Sequence, residues 1–387
     1  MPSEGTGDQA LAPRPAHPDG LARTAGLAHD TEAAVSGKRW VALAGAAAKT
    51  GYAVAGLMIF ILALELLKKG AGGLKPVLNG VSADGVLNLL GFGWSGAYAV
   101  MSGSPVAAIA LSLFAGGTIS DVEAFAMING TRLGASFIVL FVGFLLYVFR
   151  RRSADGLYIG VVALLTAFTL WLPVLPIGII ALRAGWFDSV ELSTPGAITS
   201  FVDVAFDPAV DFAAGHLPRI ALFGLGIGLL LGAFTVFDRA LPNLEQPSLR
   251  VERIRDWIHH PLAMFVLGLT ITAMTLSVSL SLTLLIPLSL KGYIRRDGII
   301  PYVMGANIST WVDTLVAALL LDSPRAFTIV FTEMVIGASI SLFVLVFLYR
   351  PYSRIILATA HRVTRSRRGF ALFLGVIFVV PLVLFFV

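Results

Sequence analysis

Two short serine motifs inside apolar segments are the residues of this 387-residue chain best suited to bind a ligand. Ser102, Gly103 and Ser104 form the first motif, and Ser277 and Ser279 belong to the second. Hydroxyl groups can bind an oxyanion, and the N–H groups at the start of an interrupted helix add partial positive charge. Gly103 would also let the backbone approach a ligand closely. The pattern predicts that these five residues bind a small anionic substrate.

A second set of small polar residues lies close to the second motif or in the apolar segment that follows it. Sodium in transporters is coordinated by backbone carbonyls of unwound turns and by hydroxyl and amide oxygens. We therefore expect an ion site for sodium at Thr275, Asn307, Ser309 and Thr310. An alternative is that these residues, like the serines, only let helices pack closely and hydrogen-bond to neighbouring backbone.

Arg132 and Asp313 are charged residues in otherwise apolar surroundings. An ionised group inside a membrane is costly unless it is paired or hydrated. Three interpretations follow for Arg132: it binds two oxygens of a phosphate, it replaces a sodium ion as a fixed positive charge, or it forms a structural pair with Asp313. We include Arg132 among the substrate-binding candidates and Asp313 as its charge partner.

The two serine motifs belong to diverged copies of one segment. Residues 101–136 align with residues 276–311 without a gap, at a constant offset of 175 residues (277 − 102). The same offset places Gly93 on Gly268 and Arg132 on Asn307. Repeats with interrupted polar segments at matching positions indicate the binding site of a secondary transporter.

The composition indicates a membrane protein. Hydrophobic residues make up 57% of the chain and charged residues only 13%, against about 25% charged in a typical soluble domain. The net charge of +5 does not indicate nucleic-acid binding, because the basic residues lie in loops beside the apolar segments. The chain has no cysteine, which excludes thiol catalysis and thiolate metal sites. No nucleophile–base pair is evident, so we expect no enzyme activity and no cofactor except sodium as a coupling ion.

The apolar runs predict a series of helical crossings. A crossing needs about 20 apolar residues, and these runs lack the alternation of a strand. The segment 185–217 carries five carboxylates and is predicted to be an acidic loop. Two runs with internal polar residues, 86–119 and 261–290, are predicted to be interrupted. The uninterrupted crossings are predicted at 40–67, 122–149, 157–182, 220–241, 299–321, 327–349 and 369–387.

The basic clusters orient these segments. Clusters at 150–152, 250–255 and 350–368 favour the cytoplasmic side, so the acidic loop lies outside. Between two cytoplasmic clusters the chain must cross the membrane an even number of times. This holds only if each interrupted run enters and leaves the membrane on the same side, as a re-entrant hairpin. Lys68, Lys69 and Lys75 contradict this orientation, and the alternative is that each long run forms two short crossings or one tilted crossing.

The predicted fold is an all-α polytopic membrane protein with two inverted repeats. Each repeat has the order helix–re-entrant hairpin–helix–helix, and a C-terminal helix follows. We expect multi-pass insertion in the plasma (inner) membrane with a cytoplasmic N-terminus. The predicted divisions are a disordered tail 1–38, repeat 1 at 39–182, an acidic extracellular loop 183–218, repeat 2 at 219–349, and a basic cytoplasmic segment with the final helix at 350–387.

The motifs resemble those of the type II sodium–phosphate cotransporter family. That family has a Gly-Ala-Asn-Ile-Gly-Thr-Thr-like motif, and residues 305–311 (Gly-Ala-Asn-Ile-Ser-Thr-Trp) are similar to it, while residues 130–136 are a looser match. The serine motifs are similar to the Gln-Ser-Ser-Ser motif of the family but lack its Gln and middle Ser. Arg132 stands where the family has Asn. The resemblance implies a sodium-coupled symporter of phosphate or a related small oxyanion that works by alternating access.

Two other functions are compatible with the sequence. One is a divergent transporter of the same fold for another small solute, in which Arg132 makes coupling independent of an ion. The other is a membrane scaffold or sensor that does not transport. The expected partners of the favoured function are a small anion such as phosphate, sodium and the lipid bilayer, with no nucleic acid.

Overall fold

The computed structural model describes residues 47–74, 85–149, 155–190, 195–240, 260–275, 277–290 and 294–387, with residues 45, 76 and 192. Every regular element in this part of the chain is a helix. The predictions for the tail 1–38, for Lys75 and for the basic clusters 150–152 and 250–255 concern residues outside the described ones.

In the first half of the chain, the described residues form seven helices. The first interrupted run, 86–119, forms two of these helices, its two arms, and they lie between two longer spans in the sequence. The helices are α1 Ala47–Leu74, α2 Val86–Val100, α3 Ser104–Ala115, α4 Asp121–Ala135, α5 Phe137–Phe149, α6 Asp155–Trp171 and α7 Val174–Arg183.

Nine further helices follow among the described residues of the second half. In order they are α8 Gly196–His216, α9 Arg219–Ala240, α10 Pro261–Thr275, α11 Val278–Leu290, α12 Ile299–Ser309, α13 Trp311–Leu320, α14 Pro324–Phe343, α15 Tyr349–Arg365 and α16 Arg367–Phe386.

Within the described residues, seven helical segments are long and apolar enough to cross a membrane. This confirms the predicted all-helical fold and agrees with the prediction of a multi-pass membrane protein. The segments are Ala47–Leu74, Asp121–Phe149, Asp155–Arg183, Arg219–Ala240, Ile299–Leu320, Pro324–Arg365 and Arg367–Phe386.

The prediction of an acidic loop at 185–217 is wrong for most of its length, because α8 occupies this segment. Val202, Phe206 and Val210 recur every four residues and pack against α1 and α9. Asp203, Asp207 and Asp211 therefore lie on the exposed face of an amphipathic helix, whereas Asp188 precedes it. The apolar spacing of four was the signal for a helix, and the density of carboxylates obscured it.

Both interrupted runs are broken at their serine motifs. In the first run, Met101 adopts left-handed backbone angles (φ 57°) between α2 and α3. In the second run, α10 ends at Thr275 and α11 begins at Val278. The four arms contain 12 to 15 residues, so each spans roughly 18–22 Å, less than the roughly 30 Å hydrocarbon core.

Glycines allow the same close helix contact in both halves of the chain. Helix α2 packs on α4, and α10 packs on α12. At each crossing, a Cβ on either of two glycines would collide with a main-chain oxygen of the opposite helix, so only glycine fits. The contacts in the second half lie 175 residues after those in the first; the four pairs are Gly93 with Met127, Gly130 with Leu90, Gly268 with Tyr302, and Gly305 with Phe265.

The glycine contacts also give the direction of the helices in the first half. Gly130 lies against the turn from Leu90 to Trp94, and Gly134, one turn later, lies against Trp94 and Ala97. Helices α2 and α4 therefore run in the same direction. Helix α3 must return toward the start of α4, where Gly116 lies against the end of α1.

The second half has the same local arrangement. Gly298 lies beside Met264 near the start of α10, and Gly305 lies beside Phe265 and Leu269. Helices α10 and α12 therefore also run in the same direction. The chain between them, through α11, returns to the level at which α12 begins.

Polar contacts define two opposite ends of the bundle. At one end, Arg325 forms ion pairs with Asp121 at 2.7 Å and with Asp188, which joins the starts of α4 and α14 to the end of α7. At the other end, Arg296 pairs with Asp155 at 2.8 Å, which joins the start of α6 to the segment before α12. Helix α4 begins at the first end and α12 at the second.

The two halves exchange packing partners across the centre. Helix α3 of the first half packs on α13 of the second, and α11 of the second packs on α5 of the first. Helix α4 packs on α14, and α12 packs on α6. The breaks at the two serine motifs are therefore enclosed by helices of both halves.

Candidate functional site

The two helix breaks meet inside the bundle. The hydroxyl of Ser279 donates a hydrogen bond to the carbonyl of Met101, with 2.6 Å between the oxygens. Gly103 lies against Thr131 and Ala135 of α4. Helices α3 and α11 both begin at these breaks, so their N-terminal N–H groups and partial positive charges lie near the contact.

The five predicted anion-binding residues of the two serine motifs all lie at or beside this contact, but they differ in their burial and in their hydrogen bonds. Ser104 is buried at the first position of α3, and Ser102 and Gly103 form the turn before it. Ser277 caps α11, because its hydroxyl accepts the N–H of Leu280 at 3.2 Å. Ser277 and Ser279 thus already have a protein partner, which means a ligand would have to share or replace those hydrogen bonds.

Arg132 lies in a buried cluster of charges next to the first break. Its side chain is 1% exposed, and its Nε is 3.8 Å from a carboxylate oxygen of Glu333, which is 0% exposed. The guanidinium donates to the hydroxyl of Thr314 at 3.2 Å and lies 5.8 Å from the centre of the Trp311 ring. Helix α14 brings Glu333 here because it packs on α4.

The prediction that Asp313 is the direct charge partner of Arg132 needs correction. The carboxylate at ion-pair distance belongs to Glu333, and Asp313 is linked to Arg132 through Thr314, whose hydroxyl lies 3.2 Å from Asp313 Oδ1. Asp313 also interacts with Ser104, so the cluster continues to the first serine motif. The physical reason is packing: α13 faces α3, and α14 faces α4.

Several polar atoms of this cluster lack hydrogen-bond partners. Buried polar groups are nearly always hydrogen-bonded in folded proteins, so a group of exceptions marks a site with another task or strain. The side-chain amide of Asn129 donates a hydrogen bond to the carbonyl of Trp171 at 3.2 Å, and its side-chain oxygen has no partner. Trp311 and Asn129 lie close to the Glu333 carboxylate, and Ser104 lies close to that of Asp313. The atoms without a well-aligned hydrogen bond are Asn129 Oδ1, Arg132 Nε and Nη1, Trp311 Nε1, Asp313 Oδ2 and both carboxylate oxygens of Glu333.

The four predicted sodium-binding residues are buried at two places in the second half. Asn307 is 1% exposed, and neither its amide oxygen nor its amide nitrogen has a partner; Ser309 Oγ also lacks one. Thr310 donates to the carbonyls of Ala306 and Asn307. Thr275 lies apart at the end of α10 and donates to the carbonyl of Ser277 at 3.2 Å. Asn307, Ser309 and Thr310 thus lie together at the end of α12, and Thr275 lies apart from them.

Glu333 is the functional candidate that the sequence analysis did not assign. Its signal was present, because an ionisable residue within a transmembrane segment is a candidate functional residue by itself. What was missing was its partner, since Glu333 lies 201 positions after Arg132 (333 − 132) and outside both repeated motifs.

A charged pocket of about 440 Å³ lies where the first interrupted run ends. Lys68, Lys69 and Arg219 line it together with Glu65 and Gly116. Lys69 pairs with Asp211 of α8 at 3.0 Å, so the acidic face of α8 borders the basic lining.

Comparison of the chain with protein-family models, with curated proteins and with solved structures finds no match. The fold and the site by themselves define a helical protein with several segments long and apolar enough to cross a membrane, in which two broken helices meet beside a buried charge cluster.

Proposed function

We propose that this protein is a sodium-coupled secondary transporter of phosphate or a related small oxyanion, working by alternating access. The observation that carries the proposal is the meeting of two broken helices at the Ser279–Met101 hydrogen bond, next to the buried Arg132 cluster. Transporters commonly place substrate at such breaks, near the middle of the membrane.

We infer that the two halves are inverted repeats and that each interrupted run is a re-entrant hairpin. Three observations support this inference: the matched glycine contacts, the parallel course of α2 with α4 and of α10 with α12, and the start of α4 and α12 at opposite ends. Each arm is also too short to cross the hydrocarbon core alone.

Single cysteines test this topology, because the chain has no native cysteine. We expect Gly85→Cys and Ser120→Cys to react with an impermeant maleimide from one face, and His260→Cys and Arg295→Cys from the other. Gly85 and Ser120 flank the first hairpin, and His260 and Arg295 flank the second. Labelling of all four from one face would show that the repeats are not inverted.

The choice of an oxyanion depends on the donors at the breaks. The starts of α3 and α11 offer backbone N–H groups, and Ser102 and Ser104 offer hydroxyls. Arg132 adds guanidinium N–H groups, two nitrogens of which have no partner. The basic lining of the pocket near Lys68 would concentrate anions at one entrance.

The choice of sodium depends on unpartnered oxygens in the second half. Asn307 Oδ1 and Ser309 Oγ are buried without partners, and Asn307 lies at the position of Arg132 in the repeat. A guanidinium has only donors, so the first half offers no corresponding cation site. Any sodium dependence should therefore originate from the end of α12.

Uptake of radiolabelled phosphate into proteoliposomes, with and without an inward sodium gradient, tests the function directly. We expect Ser102→Ala, Ser104→Ala, Ser277→Ala and Ser279→Ala each to weaken apparent phosphate affinity about ten- to hundredfold, because each removes about 1.5–3 kcal/mol of hydrogen bonding to a charged ligand. Ser339→Ala is the matched control, since Ser339 hydrogen-bonds only within α14, to the carbonyl of Val335. Unchanged affinity in all four variants would leave only a packing role for these serines.

A further inference from the structure

The buried cluster around Arg132 carries more negative than positive charge. Arg132 contributes one positive charge, whereas Glu333 and Asp313 contribute two negative charges. An uncompensated charge inside a membrane is costly, so the cluster needs one further positive charge from a bound species.

Glu333 is the carboxylate better suited to accept that charge. Asp313 is partly exposed, and its Oδ1 is hydrogen-bonded by Thr314. Glu333 is fully buried, and its oxygens have no well-aligned hydrogen bond, although the side chains of Trp311 and Asn129 lie close enough to interact with them. A fully buried carboxylate with few and weak hydrogen bonds gains most from neutralisation.

A proton fits this position better than a metal cation. Sodium requires several oxygen ligands, whereas the side chains near Glu333 are those of Arg132, Trp311 and Asn129. Trp311 offers only a donor, Asn129 adds a single free oxygen, and the Arg132 guanidinium repels a second cation. A proton needs no coordination shell and removes the charge of the carboxylate itself.

No other charged group of the described helices faces Glu333. Helix α14 packs on α3, α4, α6, α7, α12 and α13. Of these, only α4 contributes a charge, through Arg132, directly at Glu333, while α13 contributes Asp313 at the far side of Thr314.

We propose that Glu333 binds a proton in exchange for its ion pair with Arg132, and that this exchange couples proton uptake to oxyanion binding. The proton passes from solvent to a carboxylate oxygen of Glu333, and no other bond forms or breaks. Arg132 keeps its link to Asp313 through Thr314, while Nε and Nη1 become available to donate to the oxyanion. The coupling rests on the proposed transport function, whereas the protonation of Glu333 does not.

Infrared spectroscopy of the purified protein tests the protonation independently of transport. A protonated carboxylic acid has a C=O stretching band that is separate from the carboxylate bands. We expect such a band in the unmodified protein, its loss at alkaline pH, and its absence in Glu333→Gln. Glu65→Gln is the matched control, because Glu65 lies near the end of a span beside Lys68, and it should retain the band. A band that persists in Glu333→Gln overturns the proposal.

Proteoliposomes test the coupling. We expect a proton gradient directed inward to drive phosphate accumulation, and Glu333→Gln to abolish this accumulation while phosphate exchange across the membrane continues. If Glu333→Gln folds poorly, Glu333→Asp, which keeps the acid, should preserve the proton dependence. Phosphate uptake that ignores the proton gradient overturns the coupling but leaves the proposed transport intact. Absence of phosphate uptake under any gradient overturns the transport function and the coupling with it.

Discussion

The contact of α2 with α4 and that of α10 with α12 use the same backbone arrangement but different polar chemistry. In both, paired glycines at the same repeat positions bring main chains into contact. Yet Arg132 of the first half is surrounded by charged and polar side chains, while Asn307, its counterpart, has an amide without a partner. The repeated feature is the close packing, and the chemistry has diverged on it.

The difference shows how a charge is accommodated at one of two related positions. Arg132 is compensated by Glu333 and, through Thr314, by Asp313, which are supplied by α14 and α13 of the other half. Asn307 is neutral and needs no such partner. The two positions therefore differ in their surroundings: Arg132 lies among charged side chains contributed by both halves, and Asn307 lies in a neutral environment.

The largest expected effect comes from removing the charge of the first half. At alkaline pH, where Glu333 is ionised, Arg132→Ala would leave Glu333 and Asp313 without compensation, and loss of one partner of a buried pair costs about 3–5 kcal/mol of unfolding free energy. Thermal unfolding in detergent measures this loss. The double variant Arg132→Ala with Glu333→Ala should be more stable than Arg132→Ala alone. Unchanged stability of Arg132→Ala would show that the pair is not needed.

The next largest effect concerns the shared packing. Gly130→Ala and Gly305→Ala would each push a Cβ into the main-chain oxygen of the facing helix, which we expect to cost about 1–3 kcal/mol in both halves. Gly228→Ala on α9 is the control, because its Cβ would meet no atom within 4 Å. A loss of stability in only one half would mean that the two contacts are not equivalent.

Asn307→Ala should separate function from stability. Its amide has no partner, so its removal should leave thermal unfolding unchanged. We expect the sodium concentration for half-maximal uptake to rise about tenfold, equivalent to about 1.4 kcal/mol, if the amide oxygen is a sodium ligand. An unaltered sodium dependence would move the sodium site away from α12.

The smallest expected effect comes from an arginine at the end of the bundle. Arg325 is 30% exposed and pairs with Asp121 and Asp188. Partly exposed ion pairs contribute about 0.2–1 kcal/mol, so Arg325→Ala should lower the unfolding free energy far less than Arg132→Ala. A loss as large as that of Arg132→Ala would mean that burial does not distinguish the two arginines.

Sequence patterns predicted the elements better than the contacts between them. The two breaks lie at the serine motifs as predicted, and the C-terminal helix Arg367–Phe386 agrees with the predicted 369–387. The error at 185–217 arose because composition was given more weight than spacing: the apolar positions of α8 recur every four residues. The predicted inverted topology and transport activity stay predictions until the labelling and uptake experiments are done.

The sequence by itself determined the membrane-spanning class, the helix breaks and the correspondence of Arg132 with Asn307. These follow from local properties, namely apolar length, interrupting polar residues and a constant offset of 175 (277 − 102). Only the tertiary structure decided that Glu333 pairs with Arg132, that Asp313 acts through Thr314, and that Ser279 reaches Met101. Such partners depend on which helix faces meet, and neighbouring residues in the sequence do not specify this packing.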